Sequence, residues 1–264
     1  MGIQVTVLGT GSAGNCTLIE TEATAILVDA GLSNRQIMQR LALIGRNLDQ
    51  LDAILLTHEH GDHTRGLHVL CKEHTLPVYA NRLTAEAFTA DFECNGRRKI
   101  SWRLFSTGTH FDIGDLMVET FSVPHDAYDP VGFAIHHGRV AIGVLTDLGH
   151  ATKLVVERVR AVDALVLEAN HDIKLLQEDT ARPWALKQRI MSRHGHLSND
   201  AAAALAGEIV NDRLRHVFLA HLSRDCNRPD LAQQVVNSKL RQIGANHVAV
   251  AVSSQDKPTA TLSV

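Results

Sequence analysis

No apolar stretch in this 264-residue chain reaches the roughly 18 residues that a membrane span requires, so no transmembrane segment is expected. Nor does a basic region followed by an apolar one open it, and no secretory signal is expected. Gly2 satisfies the loose myristoylation pattern, but Ile3 to Leu8 reads as a first core strand, which outweighs it. The four cysteines (Cys16, Cys71, Cys94, Cys226) are scattered, without a Cys-x-x-Cys pair. They therefore imply neither a disulfide framework nor a thiolate metal site, and a cytoplasmic location fits. Prolines are few, and no repeat, low-complexity tract or Pro/Ser linker divides the chain, so residues 1–264 are expected to form one domain. Positive charge is also lacking: the net charge of −3 argues against a protein that coats nucleic acid nonspecifically.

What is present is the composition of a globular protein, 45% hydrophobic and 21% charged, with an unusual 16 histidines. Strands are expected at 3–9, 16–21, 25–29, 52–57 and 77–80, with helical periodicity at 33–44 and 64–73. A second strand-rich block covers 100–105, 115–123, 131–137 and 139–146. A helix at 151–160, a strand at 164–167, helices at 183–193, 199–211 and 229–242, and strands at 216–220 and 247–252 complete the pattern. Two sheet-rich halves that each carry helices predict an α/β protein, a four-layer αββα sandwich. Charge is uneven: residues 182 to 228 hold eight Lys/Arg against four acids, a local +4, so the remainder is −7. Such a segment suits either a phosphate backbone or the solvated face of a helix.

The run Thr57-His58-Glu59-His60-Gly61-Asp62-His63 carries the most chemistry. It follows the buried-strand pattern Ala53-Ile54-Leu55-Leu56, and sites in open α/β-type sheets lie at the carboxyl ends of strands. Zinc fingers need widely separated pairs. Here His58 and His60 can point one way while Asp62 and His63 turn toward a second position, which predicts a site for two ions. Further ligands should follow other apolar runs, as His125, Asp147 and His221 do. The glycine pattern Gly9-x-Gly11-x-x-Gly14, with Asp29 downstream, looks like a dinucleotide fingerprint. A strand rather than a helix follows it, so a turn on the rim of the metal site is the better reading.

In this order along the chain, these motifs resemble the metallo-β-lactamase superfamily, in which five motifs carry a binuclear site. The resemblance implies that His58, His60 and His125 hold a first metal, that Asp62, His63 and His221 hold a second, and that Asp147 bridges them. His60 stands where the di-iron oxidoreductase branch has Glu, which argues against redox chemistry. The runs Glu168-Ala-Asn170-His171-Asp172, His194-Gly195-His196-Leu197-Ser198-Asn199, His125-Asp126-Ala127, Asp147-Leu-Gly149-His150 and Ala220-His221-Leu222-Ser223 look like the WalJ (YycJ) type of 5′-to-3′ DNA exonuclease. They are also similar to tRNase Z. After His221, Arg224-Asp225-Cys226-Asn227 departs from the more Glu/Asn-rich run of that type.

By this resemblance the cofactors are two divalent ions, zinc or manganese, and the partner is nucleic acid, DNA before RNA. A shared hydroxide would attack phosphorus in line, with Asp62, His196 and Glu168 as the catalytic residues. His196 would protonate the leaving oxygen, oriented by Glu168. Arg193 and Arg224, with Arg228, are expected to grip flanking phosphates, and Asn170, Asn199 and Ser223 to add polar substrate contacts. Asp126 reads first as a turn cap, His150 as a support for a ligand, and Asn170 and His171 as either ligands or loop-shaping residues. Trp102 and Trp184 read as core aromatics before base-stacking platforms. His68, His74, His136, His137, His216 and His247 read as structural or exposed. The rival functions are an acyl hydrolase (thioesterase or lactonase) or a small-molecule phosphodiesterase on the same scaffold, and a non-catalytic binder.

Overall fold

A computed structural model describes residues 2–74, 76–93 and 100–264; Met1 and Cys94 lie outside them. The strands in chain order are β1 (Gln4–Gly9), β2 (Cys16–Glu20), β3 (Ala25–Val28), β4 (Ala53–Leu55), β5 (Pro77–Asn81), β6 (Ser101–Phe105), β7 (His110–Ile113), β8 (Leu116–Ser122), β9 (Val131–His137), β10 (Val140–Leu145), β11 (Ala164–Glu168), β12 (His216–Ala220), β13 (Ala249–Val252) and β14 (Leu262–Ser263). The helices are α1 (Asn34–Leu43), α2 (Gly61–Thr64), α3 (Leu67–Glu73), α4 (Arg82–Glu93), α5 (Lys153–Val159), α6 (Ile173–Glu178), α7 (Trp184–Ile190), α8 (Asn199–Ile209) and α9 (Pro229–Gln242).

Among the described residues the strands form two seven-stranded sheets, ordered β14-β1-β2-β3-β4-β5-β6 and β13-β12-β11-β10-β9-β8-β7. Each sheet is half antiparallel and half parallel. The change of direction falls at β3, which pairs antiparallel with β2 and parallel with β4, and at β10, which pairs antiparallel with β9 and parallel with β11. Parallel strands buried on both faces are apolar throughout, as Ala164–Glu168 is up to its last residue.

Three apolar layers hold the sandwich together. Val5, Val7, Ile26, Phe133, Ile142 and Val144 are among the side chains between the sheets. Ile37, Leu41 and Leu70 of α1 and α3 cover the outer face of the first sheet. Val155, Leu205 and Val236 of α5, α8 and α9 cover the second. Each fully buried Val, Leu, Ile or Phe contributes about 1.5–3 kcal/mol. The architecture is thus the four-layer αββα sandwich expected. No helix among the described residues is long and apolar enough to cross a membrane.

The helix expected at 64–73 is broken. Gly66 packs so closely that a Cβ there would lie 2.4 Å from Leu32 O, and its N–H donates to Ala30 O (2.7 Å). The turn between α2 and α3 is thereby tied to the chain after β3. The helix expected at 183–193 is shorter, ending at Ile190. A 3-10 turn at Leu48–Gln50 and four further elements, β7, α4, α6 and β14, lie where no element was expected.

Candidate metal centre

The expected ligands leave the carboxyl end of a strand or the segment directly behind it, whereas His196 comes from the connection between α7 and α8. Three of these strand exits carry non-glycine residues in left-handed backbone: Asp29 (φ 61°), Asp147 (φ 59°) and His221 (φ 55°). That conformation is costly for L side chains, and here it turns three functional groups inward at one place. The His221 N–H is secured by donating to Thr10 Oγ1 at 2.8 Å, so the glycine-rich turn after β1 supports the site.

The donor atoms form four overlapping groups among the described residues, and the two expected triads are among them. Donor atoms of His58, His60 and His125 lie within 4.8 Å of one another, as do those of Asp62, His63 and His221. Asp147 lies between them, with Oδ2 2.9 Å from His63 Nε2 and Oδ1 3.9 Å from His125 Nε2. The nitrogens of His58, His125 and His63 that turn away from the centre are engaged. Thr57 Oγ1 lies 3.0 Å from His58 Nδ1, Gly195 O is 3.1 Å from His125 Nδ1, and Asp29 Oδ2 is 2.7 Å from His63 Nδ1. Such outward bonds set the ring orientation of a metal-binding histidine. The inward His58 Nε2 is buried with no hydrogen-bond partner among the described residues, and the buried His221 Nε2 has Asp62 Oδ2 3.4 Å away. A buried nitrogen without a partner costs free energy unless something accepts its lone pair, which fits a metal ion.

Electrostatics agree. Burial, reinforced by the charge of His63, holds the His58 pKa well below the ordinary value, so that ring is neutral and able to ligate. Burial alone would do the same to His63 and His221. The carboxylates of Asp29 and Asp147 outweigh it and raise His63 well above the usual range, and Asp147 leads in pushing His221 up to about 10. A pocket that encloses Asp29, Asp147 and Glu168 needs cationic partners.

Glu168 is 0% exposed and does more than expected. Its Oε1 accepts from His196 Nδ1 at 2.7 Å and from His221 Nδ1 at 2.9 Å. Its Oε2 accepts from the N–H groups of Leu148 (3.1 Å) and Leu197 (3.0 Å). One carboxylate thus orients both the expected acid and an expected ligand. Burial opposes its charge, but His196 and the other hydrogen bonds hold its pKa down at about 2.

Several expectations need correction. Asn199 is 0% exposed and exchanges two 2.9 Å amide bonds with Asn227, so it cannot touch substrate. Asn170 is buried and donates to His221 O at 2.9 Å, shaping the loop beneath that residue. Ser223 accepts from the Cys226 N–H at 3.2 Å and closes the same loop. Arg193 donates to His150 Nε2 at 2.9 Å, and Arg224 pairs with Asp256 at 2.9 Å; neither lines the cleft. His150 therefore supports Arg193 and not a ligand. Trp184 is 60% exposed and no core residue. Much of the basic segment is paired, Arg182 with Asp179 and Asp225, and Arg213 with Asp163.

The cleft over the centre has a volume of about 230 Å³ and is lined by Asp62, Asp147, His196 and His221 on its floor and by Leu186, Arg189 and Ile190 of α7 on one wall. Asp29, Asn15 and Arg189, which the sequence motifs do not single out as site residues, also stand at the site. Asp29 follows an apolar run, as the ligands do, and accepts from the Thr57 N–H (2.9 Å) as well as facing His63. Asn15 Nδ2 lies 3.1 Å from His63 Nε2.

Gly31 binds this loop to the rest. A Cβ there would lie 1.5 Å from Asp62 O, an overlap no rotamer relieves. Gly31→Ala is therefore expected to destabilise the fold by about 1–3 kcal/mol, as overpacking does, and to lower metal content. Denaturant midpoints and metal analysis check this; a wild-type midpoint would refute it.

A family model described as "Beta-lactamase superfamily domain" matches residues 24–221. The chain is 36% identical over 245 residues to exodeoxyribonuclease YycJ of Bacillus anthracis, covering 92% of this chain and 91% of that one. It is 35% identical over 242 residues to exodeoxyribonuclease WalJ of Streptococcus pneumoniae serotype 2, covering 92% and 90%. Among solved structures, the metallo-β-lactamase-fold protein YhfI of Bacillus subtilis matches with a TM-score of 0.73 at 18% identity, over 98% of this chain and 100% of that one.

Proposed function

The chain belongs to the β-lactamase superfamily, and from that premise we propose that it is a two-metal phosphodiesterase that removes nucleotides from the 5′ end of DNA. The observation that carries this reading is the near-complete overlap with the exodeoxyribonucleases, 92% of this chain and 91% of the Bacillus anthracis protein. So little of that protein lies outside the match that no separate domain is left to supply its activity. The geometry is compatible. A cleft of about 230 Å³ is smaller than the sites that enclose drug-sized ligands. It suits one phosphodiester unit of a strand end.

His58, His60 and His125 would hold one ion, Asp62, His63 and His221 the other, with Asp147 between. Mixed imidazole and carboxylate donors suit zinc or manganese. When bound, such a pair supplies Lewis acidity and an activated water at neutral pH. The remaining work falls to the protein. Burial disfavours charge on His196, but Glu168 outweighs it and raises its pKa. With Nδ1 committed to Glu168 (2.7 Å), Nε2 is the nitrogen that donates a proton to the departing 3′-oxygen.

His196→Ala is expected to lower turnover by about 10²–10⁴, the usual contribution of a general acid, while the metal content is kept. Unchanged turnover would sink the acid role. The reading as a whole is tested by manganese- and zinc-dependent digestion of 5′-labelled duplex DNA, single-stranded DNA and RNA. A thioester and a chromogenic lactam serve as comparison substrates and Asp147→Asn as the control. Release of 5′ mononucleotides from DNA supports it. Acyl hydrolysis without phosphodiester cleavage would keep the centre and overturn the substrate.

A further inference from the structure

We propose that Arg189 grips the substrate phosphate beside the scissile one, and that Asp126 holds this arginine in place and competes with the substrate for it. The inference rests on the phosphodiesterase reading above and names the residue that engages the strand.

On α7 the residues Leu186, Arg189 and Ile190 lie at i, i+3 and i+4, so they share one face, and that face is the cleft wall. Of the basic residues in the 182–228 segment, Arg189 is the one that lines the cleft. The helix is held independently of it: the buried Lys187 ammonium donates to Gln177 O (2.8 Å) and to Asp179 O. The Arg189 side chain is 63% exposed, and its contact among the described residues runs from Nε to Asp126 Oδ2. Its two terminal nitrogens therefore form an open fork, the geometry that receives a phosphate bidentately.

Asp126 also lines the cleft, and its Oδ1 lies 3.4 Å from His125 Nε2. The carboxylate thus stands between the cation and the first group of expected ligands, one residue after His125. A phosphodiester seated over the centre brings its neighbouring phosphate toward this pair. The arginine then exchanges a carboxylate for a phosphate and keeps its charge compensated. Leu186 and Ile190 line the same wall and give the cleft an apolar border beside Arg189.

The pair makes two substitutions act in opposite directions, which a structural strut would not. For a single-stranded 5′-labelled oligonucleotide with manganese, Arg189→Ala is expected to raise KM by roughly ten- to a hundredfold, the scale of a hydrogen bond to a charged group. The slope of log KM against log salt should fall by about 0.7, the value of one lost single-strand phosphate contact. Arg189→Lys should restore part of both. Asp126→Asn, which removes the competitor while keeping the side chain's shape, should lower KM. If Arg189→Ala keeps the wild-type KM and salt slope, or if Asp126→Asn raises KM as Arg189→Ala does, the proposal is wrong although the exonuclease reading stands. If the wild-type chain does not cleave DNA at all, both fall together.

Discussion

Asp147→Ala is expected to leave the protein with fewer than two ions per chain and to lower turnover by about three to four orders of magnitude. The magnitude follows from the several kcal/mol that an ion contributes to transition-state charge, at 1.36 kcal/mol per tenfold. Among the described residues, Asp147 is the carboxylate that reaches both ligand groups, 2.9 Å from His63 Nε2 on one side and 3.9 Å from His125 Nε2 on the other. It is also 3.2 Å from His221 Nδ1 and 3.4 Å from His196 Nδ1. Burial would favour its neutral form, but His221 and His63 hold its pKa well below the usual carboxylate range. An ionised carboxylate placed between two groups of imidazoles would keep two cations close. Metal analysis beside steady-state kinetics decides it. An alanine variant with two ions and full activity would remove Asp147 from the bridging position.

The centre was legible because its parts obey one rule. His58, His125, Asp147 and His221 each stand one to three residues past a buried strand, at the end of the sheet where α/β-type folds place their sites. Asp29 obeys the same rule after Ala25–Val28, yet it reads as part of a dinucleotide fingerprint and is passed over with it. The polar motif residues were less legible. Asn170, Asn199 and Ser223 stand near site residues in sequence, but facing inward or outward depends on how the loops fold back: Asn170 and Ser223 are spent on backbone, and Asn199 on Asn227. Arg189 lay beyond a strand-end rule altogether, since it comes to the cleft on a helix. Of the unforeseen elements, β7 has four residues and β14 two, too short for an alternating pattern to register. Helix α4 had twelve, and the Asn81 side chain that accepts from the Thr84 N–H at its start was the available signal.

Glu168→Gln, a change of one atom, is expected to cost more than removal of His196. The carboxylate has only acceptors, and both oxygens receive two donors: the imidazole Nδ1 groups of His196 and His221 on Oε1, and the N–H groups of Leu148 and Leu197 on Oε2. A carboxamide has one oxygen and one NH2, so either orientation sets donors against donors. If the NH2 faces the backbone, two buried N–H groups lose their acceptor, at about 1–3 kcal/mol each. If it faces the histidines, both rings must present a bare Nδ1 and carry their proton on Nε2. His221 then has a proton on the nitrogen that would ligate. Loss of such an orienting partner typically costs about 10–100-fold in metal affinity or activity, and here the proton-donor geometry of His196 is lost with it. Turnover should therefore fall below that of His196→Ala, and the apparent metal affinity should fall as well, whereas His196→Ala leaves the latter intact. Titrating activity against manganese for the two variants separates these effects. A Glu168→Gln protein with wild-type metal affinity would mean that His221 keeps its ring orientation without the carboxylate, and would reduce Glu168 to a support for His196 alone.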